Sequence, residues 1–261
     1  PEKDRAQGTD VLMADIRAPK PEKPARPAGW PRARGRHYLD VLEHLHLTRR
    51  PDWYLEIGSG RGHSLSRCPG RAIAVDPDFR LTGDVMGDKP ELHLLRQTSE
   101  AFFASGKALE LAPRIDLAFI DGMHLFEYVL DDFIAAEKLC DAGAMILLHD
   151  LVPFSPAAAE RKWDPERTKG WSGDVWKMTL ILREYRPDLE FKVLNPRPCG
   201  LGVITGLDPT NSTLEEARDD IVARFMDLTI EEFGARKLCD LMQMQDVEEA
   251  LPGLRDREAA E

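Results

Sequence analysis

"YLEIGSGRGHSL", residues 54–65, is the stretch on which the reading of this chain turns. A short apolar run carries an acidic residue, Glu56, and three glycines then fall at alternate positions, Gly58, Gly60 and Gly62. A glycine-rich turn after a buried strand lets the backbone approach a ligand at the carboxyl edge of a sheet. Three ligand classes compete for it. A triphosphate loop ends in Gly-Lys-Ser/Thr, and this one does not. A dinucleotide loop needs a third glycine where His63 stands, opening a long helix toward the pyrophosphate. Pro69 and Gly70 cut that helix short. Another nucleotide-like ligand fits the spacing better.

Outward from the loop, the chain alternates apolar strands with helical patterns. "HYLDVLEHLHL" (37–47) predicts a first helix, and "WYLEIG" (53–58) and "RAIAVDPD" (71–78) are strands that run into glycine and acid. "LHLLRQ" (92–97) predicts a third strand, followed by a helix that Thr98 or Ser99 can cap. "RIDLAFIDG" (114–122) is a fourth strand. A helix beginning near His124 and closed by Gly143 follows, then a fifth strand, "AMILLHD" (144–150). After an irregular stretch come a helix from "DVWKMTLILREY", two closing strands near "EFKVLN" and "LGVITG", and a helical region over 213–250. Strands without strict alternation, separated by helices, predict an α/β fold. The expectation is a Rossmann-like, doubly wound, mostly parallel seven-stranded sheet with helices on both faces.

The 261 residues are 43% hydrophobic and 31% charged, enough to bury a sizeable core. Residues 17–36 are rich in proline and basic side chains, so 1–36 is expected to be a flexible arm, 37–208 the core domain and 209–261 a helical extension. A net charge of −11 argues against nucleic acid as a partner. No apolar run is long enough to cross a bilayer, so no membrane partner is expected. Cys68, Cys140, Cys199 and Cys239 show no CxxC pairing and read as reduced thiols of a cytoplasmic protein. The C-terminal helices leave pairing with a second copy open.

The pattern Glu56-x-Gly58-x-Gly60-x-Gly62, with Asp76 closing the second strand, resembles the first motifs of class I S-adenosylmethionine-dependent methyltransferases. "FIDGMHLFEYVLDDF" followed by "AGAMILLHDL" is similar to their small-molecule and sugar O-methyltransferase branch, of the macrocin type; the likeness spans roughly residues 37–206. The resemblance implies that Glu56, Gly58, Ser59, Gly60 and Gly62 hold the methionyl end of S-adenosylmethionine. It implies further that Asp76 binds the ribose hydroxyls and that Ser99 or Glu100 accepts from the adenine amine.

Asp121 and Asp150 end neighbouring strands, so both carboxylates should rim one crevice, where they could share Mg²⁺. His124, three residues after Asp121, can overhang that crevice, and in the metal-dependent relatives the base occupies this offset. The expected reaction is in-line methylation of a hydroxyl on a small molecule, with His124 as general base. Leu151 departs from the metal-dependent pattern, which expects a second Asp or Asn there; His149 could be a replacement ligand, although strand alternation points it to the opposite face. "GWSGDVWKM" (170–178) offers Trp171, Asp174, Trp176 and Lys177 for the acceptor, or alternatively a helix cap and a core tryptophan. An NAD-dependent oxidoreductase and a non-catalytic cofactor-binding protein are the competing readings.

Overall fold

The computed structural model describes residues 28–254. Its elements run β1 (Gly35–His37), α1 (Tyr38–Arg49), β2 (Trp53–Ile57), β3 (Arg71–Val75), β4 (Leu92–Leu95), α2 (Ser99–Ala104), α3 (Lys107–Leu111), β5 (Ile115–Ile120), α4 (Phe126–Glu137) and β6 (Cys140–His149). There follow α5 (Lys177–Tyr185), β7 (Glu190–Leu194), β8 (Pro196–Arg197), β9 (Leu201–Thr205), α6 (Thr213–Glu216), α7 (Arg218–Phe225), α8 (Ile230–Phe233), α9 (Ala235–Met242) and α10 (Val247–Ala250).

Seven strands form one sheet in the order β4-β3-β2-β5-β6-β9-β7. All are parallel except β9, which runs antiparallel to β6 and β7. The expected Rossmann-like, mostly parallel α/β sheet is the observed one. Every residue of β2 and of β5 is buried, as a strand covered on both faces requires. Successive side chains divide between two cores. Leu55, Ile57, Ala118 and Ile120 face α4 and α5, whereas Tyr54, Leu117 and Phe119 face α1 and α10.

The helix after β5 ends at Glu137 rather than at Gly143, which lies inside β6. Cys140 already pairs with Ile115, and a register shift follows before Met145 pairs with Leu117. Asp141 Oδ1 accepts from Gly143 N–H at 3.1 Å within this irregularity, so the glycine serves a strand distortion, not a helix end.

Of the segment expected to be a flexible arm, residues 1–27 lie outside the described residues, but residues 28–36 are tied down. Trp30 is buried and donates its indole N–H to Pro153 O at 2.7 Å. Gly35 N–H donates to Asn195 O at 2.7 Å, and β1 pairs with β8. In the C-terminal extension, Leu214, Ile221, Phe225, Ile230, Leu238 and Met242 join the same core as α4 and α5.

Candidate active site

Parallel strands deliver their carboxyl ends to one edge, and the site is built there. Gly58 (φ +85°) is held by its N–H on Val75 O at 2.9 Å. A Cβ at Gly58 would lie 2.1 Å from Asp121 O, so only glycine lets the ends of β2 and β5 meet this closely. The turn then runs into a single 3₁₀ turn at Leu65–Arg67, the short helix expected from Pro69 and Gly70. Asp76 braces the turn: Oδ2 accepts from Gly60 N–H and Oδ1 from Asp78 N–H, both at 2.7 Å.

A cavity of about 590 Å³ opens above this turn. Gly58, Ser59, Gly60, Asp76, Ser99, Glu100 and Asp121 line it, so residues up to 63 positions apart share one cavity. Thr98 caps α2 by accepting from Ala101 N–H at 3.2 Å, which sets Ser99 and Glu100 at the cavity edge. Glu56 and Gly62 do not line the cavity. Glu56 is fully buried behind the turn, where the Tyr54 and Ser64 hydroxyls donate to it at 2.6 and 3.0 Å. Burial pushes its carboxyl up to about 7, with these hydroxyls opposing the rise.

At one end of the cavity Asp121 meets two histidines. His124 Nε2 lies 3.6 Å from Asp121 Oδ1 and 3.2 Å from Asp150 Oδ2. Its Nδ1 is 2.7 Å from Trp171 O. Burial alone would lower the imidazole pKa, but Asp150 and Asp121 outweigh it and raise it to about 9. His149 does not turn away from the site as strand alternation suggests: its Nδ1 is 3.1 Å from Asp121 Oδ1. The ring lies beside Tyr38, 4.3 Å between centroids, and Asp121 and Asp150 hold it well above its usual pKa despite burial. Burial opposes ionisation of Asp121, yet the facing histidines hold its carboxyl far below the ordinary range.

Asp150 takes a left-handed backbone (φ +63°), a costly state for a residue with a Cβ that aspartate tolerates better than most. The turn buries Leu151 in the core, which explains why the position after Asp150 supplies no polar group. Instead, Asp121, His124 and Asp150 each place one ligating atom within 4.8 Å of the others. The two carboxylate oxygens suit a hard divalent cation and so fit the group the sequence suggested, with the His124 imidazole beside them.

The four acceptor candidates separate. Asp174, Trp176 and Lys177 are buried and reach no open surface, so they are corrected to structural roles. Asp174 Oδ1 accepts from Phe126 N–H at 2.9 Å, while Oδ2 receives Arg161 at 2.6 Å and Lys177 at 2.8 Å. Trp176 packs against Phe233. Trp171 alone stays partly open, its ring 5.4 Å from that of His124. Tyr38, Met123 and Tyr128 also line the cavity and went unread, since nothing local marks them. Cys199 is a free thiol, and burial and the facing Asp150 raise its pKa.

Residues 55–151 match the family model described as "Methyltransferase domain". No curated protein sequence matches the chain. Among solved structures it is similar to SAH-bound methyltransferase PaMTH1 of Podospora anserina, with 17% identity, 66% of this chain and 78% of that one covered, and a TM-score of 0.48. Cofactor-bound Rv0187 from MTB gives 17% identity, 65% and 79% coverage and a TM-score of 0.49. The O-methyltransferase TomG from Streptomyces achromogenes, solved with SAM, gives 16%, 66% and 80%, and 0.46. The family match contains the glycine turn, Asp76, Ser99, Glu100, Asp121, His124 and Asp150. Residues 55–151, which carry the glycine turn and the strand-end acids, are therefore similar to a methyltransferase domain.

Proposed function

We propose that the protein methylates a hydroxyl of a small molecule, with S-adenosylmethionine in the cavity and the acceptor at the Asp121–His124–Asp150 cluster. The observation that carries this reading is the aim of His124. Its Nδ1–H is committed to the Trp171 carbonyl, so Nε2 is the nitrogen free to exchange a proton, and it sits between two carboxylates at the cavity end.

S-adenosylmethionine supplies the electrophilic methyl. Asp76, at the cavity wall, suits a ribose diol, because each carboxylate oxygen keeps a lone pair beyond its backbone bond. Ser99 and Glu100 face the same space as acceptors for an exocyclic amine. Asp121 and Asp150 orient the acceptor hydroxyl, and His124 takes its proton at Nε2. Asp150 and Asp121 push the His124 imidazole up to about 9, which favours its protonated form at neutral pH. Mg²⁺ held by Asp121 and Asp150 would supply the countercharge that frees this lone pair and acidify a bound hydroxyl.

An acidic chain of net charge −11 disfavours a polyanionic acceptor. Among the described residues, no helix is long and apolar enough to cross a membrane. The test is a screen of small hydroxylated acceptors with methyl-labelled donor, with and without chelation. Label in an acceptor, lost on chelation and restored by Mg²⁺, supports the reading with the metal; full turnover in the presence of a chelator removes the metal, and no label in any hydroxylated acceptor removes the reading.

A further inference from the structure

The helix that follows the catalytic strand begins without a cap of its own. Leu125, at the N-cap of α4, offers no side-chain acceptor for the first free N–H groups. The missing acceptor comes from 48 residues away, where Asp174 Oδ1 takes Phe126 N–H. Asp174 is itself fixed by two cations, buried Lys177 and half-exposed Arg161. Lys177, 1% exposed, spans Asp174 and Met226 O, and Arg161 spans Asp174 and Glu127. One residue earlier, Gly173 (φ +55°) lies so close to the backbone of His124 that a Cβ there would stand 1.6 Å from His124 O. Two residues before that, Trp171 O receives His124 Nδ1. Three contacts from the 171–174 corner therefore converge on His124 and Phe126 at the entry to α4.

We infer that the Gly173–Asp174 corner is a clamp that sets the position and tautomer of His124, so that these residues act through the histidine and never on an acceptor. The inference deepens the proposed function and rests on it for the catalytic meaning of His124. Physically, the clamp explains why a charged network is buried away from any ligand: its anion is the helix cap, and its cations hold that anion still. It also explains the glycine. A side chain at 173 would force the loop off His124 O and draw the Trp171 carbonyl away from Nδ1, leaving either ring nitrogen free to carry the proton.

The experiment uses the full chain labelled with ¹⁵N-histidine, with the His124 Nδ1–H signal assigned by its loss in His124→Gln. In the wild type this proton is bonded to a carbonyl and exchanges slowly with solvent. In Gly173→Ala its exchange should quicken at least tenfold, while S-adenosylhomocysteine affinity by calorimetry stays within twofold, because the cavity wall is elsewhere. Asp174→Asn keeps an oxygen for Phe126 N–H but loses the charge facing Arg161 and Lys177, and should move the same signal less. If Gly173→Ala does not fold, Arg161→Gln, altered at the half-exposed edge of the network, carries the same readout.

An unchanged His124 signal in these variants would overturn the clamp. So would a fall in S-adenosylhomocysteine affinity that tracks the signal, since the corner would then be a general structural support. A wild type that does not bind S-adenosylhomocysteine, but whose His124 signal still responds to Gly173→Ala, supports the clamp and removes only the reading of the cavity.

Discussion

The two walls of the site are made in opposite ways. The wall beneath the cavity, from Gly58 to Asp76, is nearly continuous in sequence, and the contacts that set it are backbone to backbone or backbone to carboxylate, between residues 16 and 17 positions apart. The wall behind His124 is assembled from contacts 47 and 48 residues long, between the start of α4 and the 171–174 corner. The first is a motif and the second is a meeting. Chemistry written in backbone turns can be read from glycine spacing, whereas chemistry written in a remote carbonyl and a remote cap needs the fold.

The contrast predicts where damage should appear. The largest effect belongs to the base: His124→Ala should reduce turnover of the acceptor found by the labelled-methyl screen by about 10²- to 10⁴-fold, with donor affinity nearly unchanged. A variant of wild-type activity would remove the base assignment. Next is Asp174→Ala, which strands a buried lysine and an unpaired helix N–H. It should cost stability by about 3–5 kcal/mol, the usual range for breaking a buried ion pair, as read by denaturant unfolding. A loss below the surface range would mean that water reaches Lys177.

On the other wall, Asp76→Ala should weaken S-adenosylhomocysteine binding by about 1–3 kcal/mol, the range for lost hydrogen bonds to a charged group, with little loss of fold. Unchanged affinity by calorimetry would count against the ribose role.

The smallest effect is a slope against pH. His124 has a folded pKa raised to about 9 by Asp150 and Asp121 against burial, so the stability it lends is full below its unfolded value and is lost as pH rises through 9. Glu56, raised to about 7 by burial, acts in the same direction at lower pH, being easier to accommodate while protonated. Melting temperature should therefore fall from about pH 6 to about pH 9. His124→Gln should flatten the upper part of that slope and Glu56→Gln the lower part. Equal slopes in all three proteins would show that other groups set it.

What the sequence made legible follows the same division. The parallel sheet, the glycine turn, Asp76, and the convergence of Asp121, His124 and Asp150 all follow from strand ends and local spacing, and the structure brings those residues together. Asp174, Trp176 and Lys177 looked like surface groups because two tryptophans and two charges near a loop resemble a binding patch; their burial depends on α4, α7 and α8, which local spacing does not see. Strand alternation points His149 to the opposite face, yet its ring reaches Asp121, because alternation fixes a face and not the reach of an imidazole past the strand end. Gly143 resembled a helix stop, but its pairing environment was decided by the register of β5. Tyr38 lines the cavity only because α1 starts where β1 and β8 anchor the chain.

The most direct measurement is a crystal structure of the full chain with S-adenosylhomocysteine at saturating concentration. The nucleoside should lie over Gly58–Gly60, its ribose within hydrogen-bonding distance of Asp76 and its sulfur end toward Asp121. A cavity left vacant under those conditions, or the nucleoside bound elsewhere on the molecule, would contradict the assignment of this turn as the donor's seat.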